Sequence, residues 1–310
     1  MTLAARFAAA LDRLAPELAG RDTPLLCAVS GGPDSIALLL LAAQQLPGRV
    51  AAATVDHGLR AESADEAAMV ARLCAERGIG HATLRPATPI SGNIQSAARR
   101  ARYALLHAEA DRIGAPVIAT AHHADDQRET LFLRLARGSG VAGLAGVRAR
   151  NGRVIRPLLE AGKAELEAQC ALAAIVPARD PSNDDPGFDR VRMRRALAGF
   201  EAVPAAAAAR SAAALAEAEE ALFWSAARLA GERIARIGDR WSLDHAGLPR
   251  ELLRRLLLAA LAEAGGDPPR GEALDRALAA LGAGQRVMLG ELIVDPGERW
   301  TLAPAPPRRG

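Results

Sequence analysis

Short apolar runs alternate with longer amphipathic stretches through the first two-thirds of the chain. The runs at residues 24–29, 49–55 and 116–121 have the length and composition of buried strands. Helical spacing and capping residues predict helices between them, including 63–77 and 94–113. Because parallel strands need a long crossover connection, this alternation predicts an α/β fold built on a doubly wound parallel sheet.

The last third of the chain has a different pattern, which begins with an alanine-rich stretch after Pro204. The predicted elements there are helices at 203–229, 249–264 and 272–281, then apolar runs at 287–294 and 299–302 on either side of a turn. We therefore predict two domains, 1–203 and 204–310. The second domain is expected to be smaller and mainly helical and to end in a β-hairpin.

The amino-acid composition indicates the class of protein to which this fold belongs. The chain has 310 residues, of which 50% are hydrophobic and 24% charged, as is typical of soluble globular proteins. No apolar run approaches the roughly 18 residues that span a bilayer. Asp12 and Glu17 interrupt residues 1–20, which therefore do not resemble a signal peptide. We expect a cytoplasmic enzyme with no membrane partner.

The cysteines and the charges narrow the chemistry further. Cys27, Cys74 and Cys170 are widely spaced and form no C-x-x-C motif, which argues against a disulfide framework, zinc or an iron–sulfur cluster. The net charge of +3 weakly favours a polyanionic partner. Every basic residue except Lys163 is arginine, so the clustering of arginines at 190–195 is more informative than their identity. With only 3% aromatic residues, a nucleic acid would be bound mainly through its phosphates.

The most informative segment is Ser30-Gly31-Gly32-Pro33-Asp34-Ser35, which connects the first predicted strand to an apolar helix. Adjacent glycines allow close backbone approach, and the first turn of a helix offers N–H donors, so the segment can hold phosphates. The carboxylate of Asp34 is unfavourable beside phosphates unless a divalent cation such as Mg²⁺ lies between them. The segment therefore predicts a Mg-nucleotide site, with Ser30 and Ser35 as further hydroxyl donors.

This hexapeptide is not a Walker P-loop, because the lysine and the spacing that the Walker motif requires are absent. It resembles the PP-loop of N-type ATP pyrophosphatases, which cleave ATP between the α and β phosphates.

Two further groups of polar residues follow predicted strands. Asp56-His57 follows the second strand and is interpreted either as a nucleoside contact or as a helix cap. Residues 122–130 follow the strand at 116–121 and open a helix on which Asp126 and Glu129 share a face. These two carboxylates could hold an ammonium group or a second Mg²⁺; capping by Asp125 or Asp126 is the competing interpretation.

Seven segments together resemble the tRNA(Ile)-lysidine synthetase family in order and spacing, over residues 24–200. They are Ser30 to Ser35, Val55 to Arg60, Asn93 through Arg99 to Tyr103, His122 to Thr130, Arg137 to Leu144, Arg156 to Leu159 and Asp180 to Asn183. The resemblance implies an enzyme that uses ATP to adenylate the C2 oxygen of the wobble cytidine in the CAU anticodon of tRNA(Ile). The ε-amine of L-lysine then displaces AMP.

The resemblance also implies roles by position. It assigns ATP to Ser30, Gly31, Gly32, Pro33, Asp34, Ser35, Asp56 and His57, with Mg²⁺ at Asp34, and the lysine amine to Asp126 and Glu129. The catalytic residues are then Asp34, Arg99, Arg102, Asp126 and Glu129. The tRNA would contact Arg137, Arg190, Arg192, Arg194 and Arg195. A homodimer is compatible with the sequence.

Two other functions compete with this one. Another PP-loop enzyme, such as a tRNA thiolase, is the alternative, although cytidine thiolation typically needs cysteines that this chain does not pair. A catalytically inactive tRNA-binding module is disfavoured by Asp34, Asp126 and Glu129, because acids in the cleft do not help to bind a polyanion. The chain also departs from the family pattern twice, with no Trp or Glu at 176–179 and with valine at Val191.

Overall fold

A computed structural model of the protein describes residues 1–20, 22–58, 62–87, 94–178, 187–269 and 271–305. The chain forms two compact units, Met1–Ala216 and Glu217–Gly310. The predicted boundary at 203/204 lies earlier, just before the helix Ala205–Arg233 in which the two units divide. The assignment of functional domains to 1–203 and 204–310 stays a prediction.

The first unit contains, among its described residues, a six-stranded sheet, eight complete α-helices and the beginning of the helix Ala205–Arg233. Its strands are β1 (Leu25–Ala28), β2 (Val50–Val55), β3 (Gly80–Leu84), β4 (Val117–Ala119), β5 (Arg150–Asn151) and β6 (Val154–Ile155). Its helices are α1 (Leu3–Leu14), α2 (Pro33–Gln45), α3 (Glu62–Glu76), α4 (Ile94–Arg112), α5 (Ala124–Leu135), α6 (Val141–Leu144), α7 (Lys163–Leu172) and α8 (Asp189–Leu197), with a 3-10 helix at Pro16–Ala19.

The strand order is β3-β2-β1-β4-β6-β5, and every pairing is parallel except that of β5 with β6. The predicted doubly wound parallel sheet is therefore confirmed. The chain runs outward from β1 to β3 and then returns to β4 on the other side of β1. Strand order reverses between β1 and β4, which is where ligands bind in sheets of this kind.

Alternate side chains of β1 pack on opposite faces of the sheet. Leu25 and Cys27 belong to a core cluster with the apolar helix α2, whereas Leu26 packs with Leu106 of α4. Because both faces are covered, this central strand is apolar without alternation. Cys74 and Cys170, like Cys27, are buried and free of disulfides.

The second unit combines helices with an antiparallel sheet. Its elements are the end of α9 (Ala205–Arg233), β7 (Ile234–Ile237), β8 (Arg240–Leu243), α10 (Arg250–Glu263), α11 (Gly271–Gly282), β9 (Val287–Leu289), β10 (Leu292–Asp295) and β11 (Trp300–Pro304). The strand order is β7-β8-β11-β10-β9. The core contains leucines of α10 and α11 packed with Trp300 and Leu302.

The predicted closing hairpin is confirmed as β10 and β11, in which Asp295 pairs with Thr301. The sheet is larger than the sequence indicated. The apolar run at 287–294 is divided into two strands at Gly290, whose φ of 62° suits a tight turn. The hairpin of β7 and β8 was not predicted, because β7 is mostly exposed and carries no clear hydrophobic alternation. Among the helices that the structure describes, none has the length and apolarity to cross a membrane.

Candidate active site

The glycine-rich turn at residues 30–35 joins β1 to α2 and is held in shape by its own serines. Ser35 Oγ accepts a hydrogen bond from the backbone N–H of Ser30 at 3.1 Å and donates one to the carbonyl of Gly32 at 2.9 Å. Ser30 Oγ lies 3.3 Å from Ser35 Oγ. Gly31 has a φ of 90°, which a side chain would rarely adopt. The Ser35 hydroxyl proton, predicted for a ligand, is thus used inside the turn.

The beginning of α2 is suited to an anion. Gly32 is its N-cap and provides no side-chain hydrogen bond to the first turn, and Pro33 is the first residue of the helix. The remaining N–H groups of that turn therefore have no side-chain cap, and the positive end of the helix dipole lies at the edge of the sheet. A phosphate group would satisfy these donors.

Asp34 faces His123, the N-cap residue of α5. Asp34 Oδ2 lies 3.5 Å from His123 Nε2. Asp34 Oδ1 is buried and has no hydrogen-bond partner among the described residues. A buried carboxylate oxygen is costly to leave unpaired, so this atom is a candidate ligand for a cation.

His123 connects the glycine-rich turn to α5. Burial lowers the pKa of His123, but Asp125, Asp34 and Asp126 outweigh this effect and raise the pKa to about 10. A neutral ring could accept the backbone N–H of Asp125 at Nδ1, 3.3 Å away; a protonated ring instead faces the Asp125 carboxylate at 3.5 Å. With three carboxylates around it, the protonated form is favoured, and the ring bridges the acids of two elements. Sequence reasoning had assigned His123 no role.

Asp126 and Glu129 share a face of α5 as predicted, and both already have cationic partners. Arg194 Nε donates to Glu129 Oε1 at 2.6 Å, and Arg190 Nε lies 3.3 Å from Glu129 Oε2. Arg190 also donates to Asp126 Oδ1 at 3.2 Å. Two arginines of α8 predicted to contact tRNA thus lie on the two acids predicted to receive lysine. Neither assignment is tested by this arrangement.

Helix capping, the competing interpretation of the acids, also occurs. Asp126 Oδ2 accepts the backbone N–H of His123 at 3.1 Å. Asp125 Oδ2 accepts the backbone N–H of Lys163 at 3.0 Å, at the start of α7. The His123 hydrogen bond is the main reason that the pKa of Asp125 falls to about 2. Asp126 therefore has two partners, one for capping and one at the cleft.

A cleft of about 230 Å³ lies at the carboxyl ends of β1 and β4. It is lined by Ala28, Val29, Ser30, Gly32, Asp34, Ser35, Ala53, Val55, Arg102, Leu106, Thr120, Ala121, His122, Asp126 and Arg190. The structure thus brings together, in one cleft, the glycine-rich turn, Arg102, Asp126 and Arg190, which are far apart in the sequence.

His122 is a cleft residue that sequence reasoning left without a role. Its Nδ1 lies 3.1 Å from Thr120 Oγ1. Burial lowers the pKa of His122 to about 4; Asp126 opposes this, while Arg156, Arg190 and Arg99 lower the pKa further. The imidazole is therefore neutral at pH 7. Its position directly after the predicted strand at 116–121, at the carboxyl end of the sheet, was the signal that could have identified its place in the cleft.

Asp56 has partners that account for its whole carboxylate. Oδ1 accepts from Gly58 N–H at 2.9 Å and from Ser63 Oγ at 2.6 Å, and Oδ2 accepts from Arg85 Nε at 2.9 Å. The Ser63 hydrogen bond is the main cause of its lowered pKa. Asp56 therefore links Gly58, Ser63 and Arg85, and its predicted contact with the nucleoside is untested. Its neighbour His57 has a buried Nδ1 with no partner among the described residues.

The remaining predicted arginines lie on α4, after α5 and on α8. The Arg99 guanidinium lies 5.1 Å from the centre of the Tyr103 ring. Arg137 contacts Asp189 at 2.6 Å, and Arg192 hydrogen-bonds to the same carboxylate. Arg195 follows Arg194 on α8. Parts of three predicted motifs, Leu59-Arg60, Asn93 and Asp180 to Asn183, lie outside the described residues.

Within the described part of the chain, no group of three or more His, Cys, Asp or Glu side chains is arranged to hold a metal ion.

Comparison with known proteins agrees with this architecture. Residues 3–200 match the model of a PP-loop domain family. A tRNA(Ile)-lysidine synthase of Novosphingobium aromaticivorans is 45% identical, over 99% of this chain and 95% of the relative. One of Zymomonas mobilis is 41% identical, over 91% of this chain and 88% of the relative.

Among solved structures, a U34-tRNA thiolase of Methanococcus maripaludis with a [4Fe-4S] cluster superposes with a TM-score of 0.55. It is 16% identical, over 69% of this chain and 78% of the thiolase, and this similarity establishes the fold alone. The curated relatives are far more similar in sequence and match nearly their whole length. The chain therefore belongs to the tRNA(Ile)-lysidine synthase family of PP-loop proteins.

Proposed function

We propose that this protein ligates L-lysine to C2 of the wobble cytidine of a tRNA(Ile) with a CAU anticodon. In the first step, the C2 oxygen of the cytidine attacks the α-phosphorus of ATP and releases pyrophosphate. In the second step, the deprotonated ε-amine of lysine attacks C2, the C2–O bond breaks, and AMP leaves with that oxygen. Activation is needed because a cytosine carbonyl oxygen is otherwise a poor leaving group.

The observation that carries this proposal is the glycine-rich turn at the switch point of the sheet. Its uncapped helix N-terminus can bind phosphates, and it opens into the same cleft as Arg102, His122 and Asp126. A nucleotide at the turn would therefore present its α-phosphate to groups at the ends of both β1 and β4. The names of relatives that share nearly the whole chain supply the substrates.

The residues present fit a Mg²⁺ ion beside the nucleotide. The buried oxygen of Asp34 has no partner among the described residues, and Mg²⁺ usually binds through one or two carboxylates together with substrate phosphates. Asp34 would hold the ion, which would neutralise charge on the phosphates. Arg99 and Arg102 would stabilise the negative charge that develops during phosphoryl transfer.

Lysine binding at Asp126 and Glu129 requires an exchange of cations. Arg190 contacts both acids and also lines the cleft, and its side chain is 43% exposed, whereas Glu129 is buried under Arg194. We therefore place the lysine ammonium at Asp126, where it replaces Arg190. The freed guanidinium would remain close enough to the cleft to meet phosphate charge.

The tRNA would be bound largely through arginines outside the cleft. Arg137, Arg192 and Arg195 are the candidates. Arg137 and Arg192 share the exposed Asp189 as their acidic partner, whereas Arg190 and Arg194 are bonded to the less exposed acids of α5. Such contacts position the tRNA through its backbone and make binding dependent on salt. A tRNA substrate also favours the cytoplasm as the place of action, and a homodimer stays a prediction.

A thiolase activity is the second candidate, favoured only by the shared fold. Its chemistry would need reactive cysteines, and those of this chain are buried. Burial raises the pKa of Cys74 and of Cys170 to about 11, so neither is a thiolate at neutral pH. The ligase is therefore the better supported proposal.

The test is incorporation of radiolabelled lysine into a tRNA(Ile) transcript, with Mg²⁺ and ATP. We expect label in the tRNA and one AMP and one pyrophosphate released per lysine incorporated. A transcript with uridine in place of the wobble cytidine is the matched control and should take no label. Release of pyrophosphate in the presence of lysine without any incorporation of lysine, or no pyrophosphate release under any condition, would contradict the proposal.

A further inference from the structure

Arg156 is a buried cation for which the mechanism above has no use. It follows β6 directly and is only 5% exposed. Its backbone N–H donates to the carbonyl of Ala149 at 2.8 Å, and its Nη1 donates to the carbonyl of Arg148 at 2.7 Å. Its Nε is buried with no hydrogen-bond partner, and no carboxylate in the described part of the chain forms an ion pair with it.

A guanidinium in this state is energetically unfavourable. Removing a charge from water is costly unless an opposite charge and a full set of hydrogen bonds replace the solvent. One carbonyl contact does not supply that, and Arg156 cannot lose its proton near neutral pH. A buried arginine at a ligand-binding edge, without an acidic partner among the described residues, therefore points to an anionic group that arrives with a substrate.

Arg156 does not itself line the cleft, but the sheet places it next to Thr120, which does. Ile155 pairs with Ala119 of β4, and the Thr120 N–H donates to the Ile155 carbonyl at 3.0 Å, so Arg156 runs alongside the residues that lead to His122. Burial lowers the pKa of His122 most, Asp126 raises it, and the charges of three arginines, Arg156, Arg190 and Arg99, lower it further. His122 thus has a positive pole and a negative pole near it.

We infer that Arg156 binds the α-carboxylate of the amino-acid substrate. This inference rests on the proposed function, in which Asp126 receives the ammonium group. An amino acid carries a carboxylate and an ammonium group. Near His122, Arg156 can pair with the carboxylate and Asp126 with the ammonium group. A phosphate is the less suitable anion, because the phosphate turn follows β1, two strands or about 10 Å from β6.

The test compares lysine with cadaverine, which has the same two amines and chain length but no carboxylate. For each amine, kcat/KM is measured with saturating ATP and tRNA, and adenylation alone is followed as pyrophosphate release without an amine. The wild type should prefer lysine. In Arg156→Met this preference should fall about tenfold to a hundredfold, as expected for a charged hydrogen bond, while adenylation and the use of cadaverine change little.

Two further variants complete the design. Arg156→Lys keeps the charge and should retain part of the preference; it also carries the test if Arg156→Met does not fold. Arg150→Met is the matched control, because Arg150 lies on the neighbouring β5 and is paired with Glu17 at 2.6 Å, and it should leave the preference unchanged.

The possible results separate this inference from the proposed function. A wild type without preference for lysine, or an equal loss with both amines, would overturn the role of Arg156. So would loss of adenylation in Arg156→Met, which would assign this residue to phosphate. If the wild type incorporated neither amine, the proposed function itself would be overturned, whether or not pyrophosphate was released.

Discussion

Two strand–turn–helix segments, β1–α2 and β4–α5, meet at one edge of the sheet, and they differ in how the hydrogen bonds of their polar groups are satisfied. At β1–α2 the N-cap is a glycine without a side-chain bond, and a buried oxygen of Asp34 has no partner among the described residues. At β4–α5 the N-cap is His123, and Asp126 and Glu129 are bonded to arginines. The turn of β1–α2 thus has polar groups that are free to bind a ligand, whereas the acids of β4–α5 are already paired with arginines of the protein.

The difference bears on the proposed reaction, in which the first turn binds the nucleotide and the second turn binds lysine. A ligand at the first turn gains unpaired donors directly, because no internal bond has to break. A cation at the second turn has to displace Arg190, so its net gain is the difference between two ion pairs. We therefore expect nucleotide binding to depend on the first turn more steeply than lysine binding depends on the second.

The largest effect should come from removing the charge of Asp34. We expect Asp34→Asn to reduce lysine incorporation by at least about a thousandfold, since a cation that stabilises the transferring phosphoryl group is worth several kcal/mol. The tRNA affinity and the thermal unfolding curve should change little. Incorporation assays and filter binding at fixed salt measure the two quantities.

Asp125→Asn is the matched control for that variant, because Asp125 also faces the ring of His123 but lies at the second turn. It should retain most of the activity. If both variants lost activity equally, the charge balance around His123, and not a cation at Asp34, would explain the result. Loss of tRNA binding in Asp34→Asn would also contradict the assigned role.

The next largest effect should be on the KM for lysine, which distinguishes the role of Asp126 from that of its partner Arg190. Asp126→Asn should raise the KM for lysine about tenfold to a hundredfold, as a charged hydrogen bond is lost. Arg190→Gln should lower it about twofold to fivefold, because a partly exposed ion pair no longer competes. Steady-state kinetics with varied lysine provide both values. An increase in KM in both variants would show that Arg190 belongs to the lysine site.

A smaller effect concerns stability against acid. The pKa of Asp125 is about 2 in the folded protein and near 3.8 when unfolded, so the folded state binds this proton less readily. Its contribution is about 1 kcal/mol, because solvent screens this partly exposed carboxylate, and it is therefore complete above about pH 4 and is lost between about pH 4 and pH 2. Asp125→Asn should remove this part of the pH dependence.

Urea denaturation between pH 5 and pH 2, followed by circular dichroism, measures the pH dependence of the free energy of unfolding. Tryptophan fluorescence would report on the wrong unit, because all three tryptophans lie in Glu217–Gly310. Parallel pH curves for the wild type and Asp125→Asn would disprove the assignment.

The smallest effect should be seen on α8. Arg192 is 55% exposed, so Arg192→Ala should weaken tRNA binding modestly and reduce the slope of log affinity against log salt by about one. Arg194→Ala should change the slope less, because that guanidinium is bonded to buried Glu129. Equal slopes for the two variants would mean that α8 releases Arg194 when tRNA binds.

The sequence by itself determined the class of fold and the phosphate turn. Apolar runs and crossover lengths predict a parallel sheet whatever the tertiary details, and the turn at 30–35 needs only local chemistry between one strand and one helix. Local patterns also placed Asp126 and Glu129 on one face of α5. By contrast, the hairpin of β7 and β8 escaped prediction, because β7 is mostly exposed and each of the two strands depends on its neighbours in the sheet. β7 pairs with β8, and β8 pairs with β11.

Only the tertiary structure decided which charges meet. Arg190 and Arg194 are more than sixty residues from the acids that they contact, so no pattern along the chain distinguishes them from the arginines proposed to contact tRNA. The same holds for Asp56, whose carboxylate is satisfied by Arg85, and for Arg156, whose burial follows from the position of β6 beside β4. Electrostatic energy depends on distance in space and on burial, and both are set when the sheet and its helices pack together.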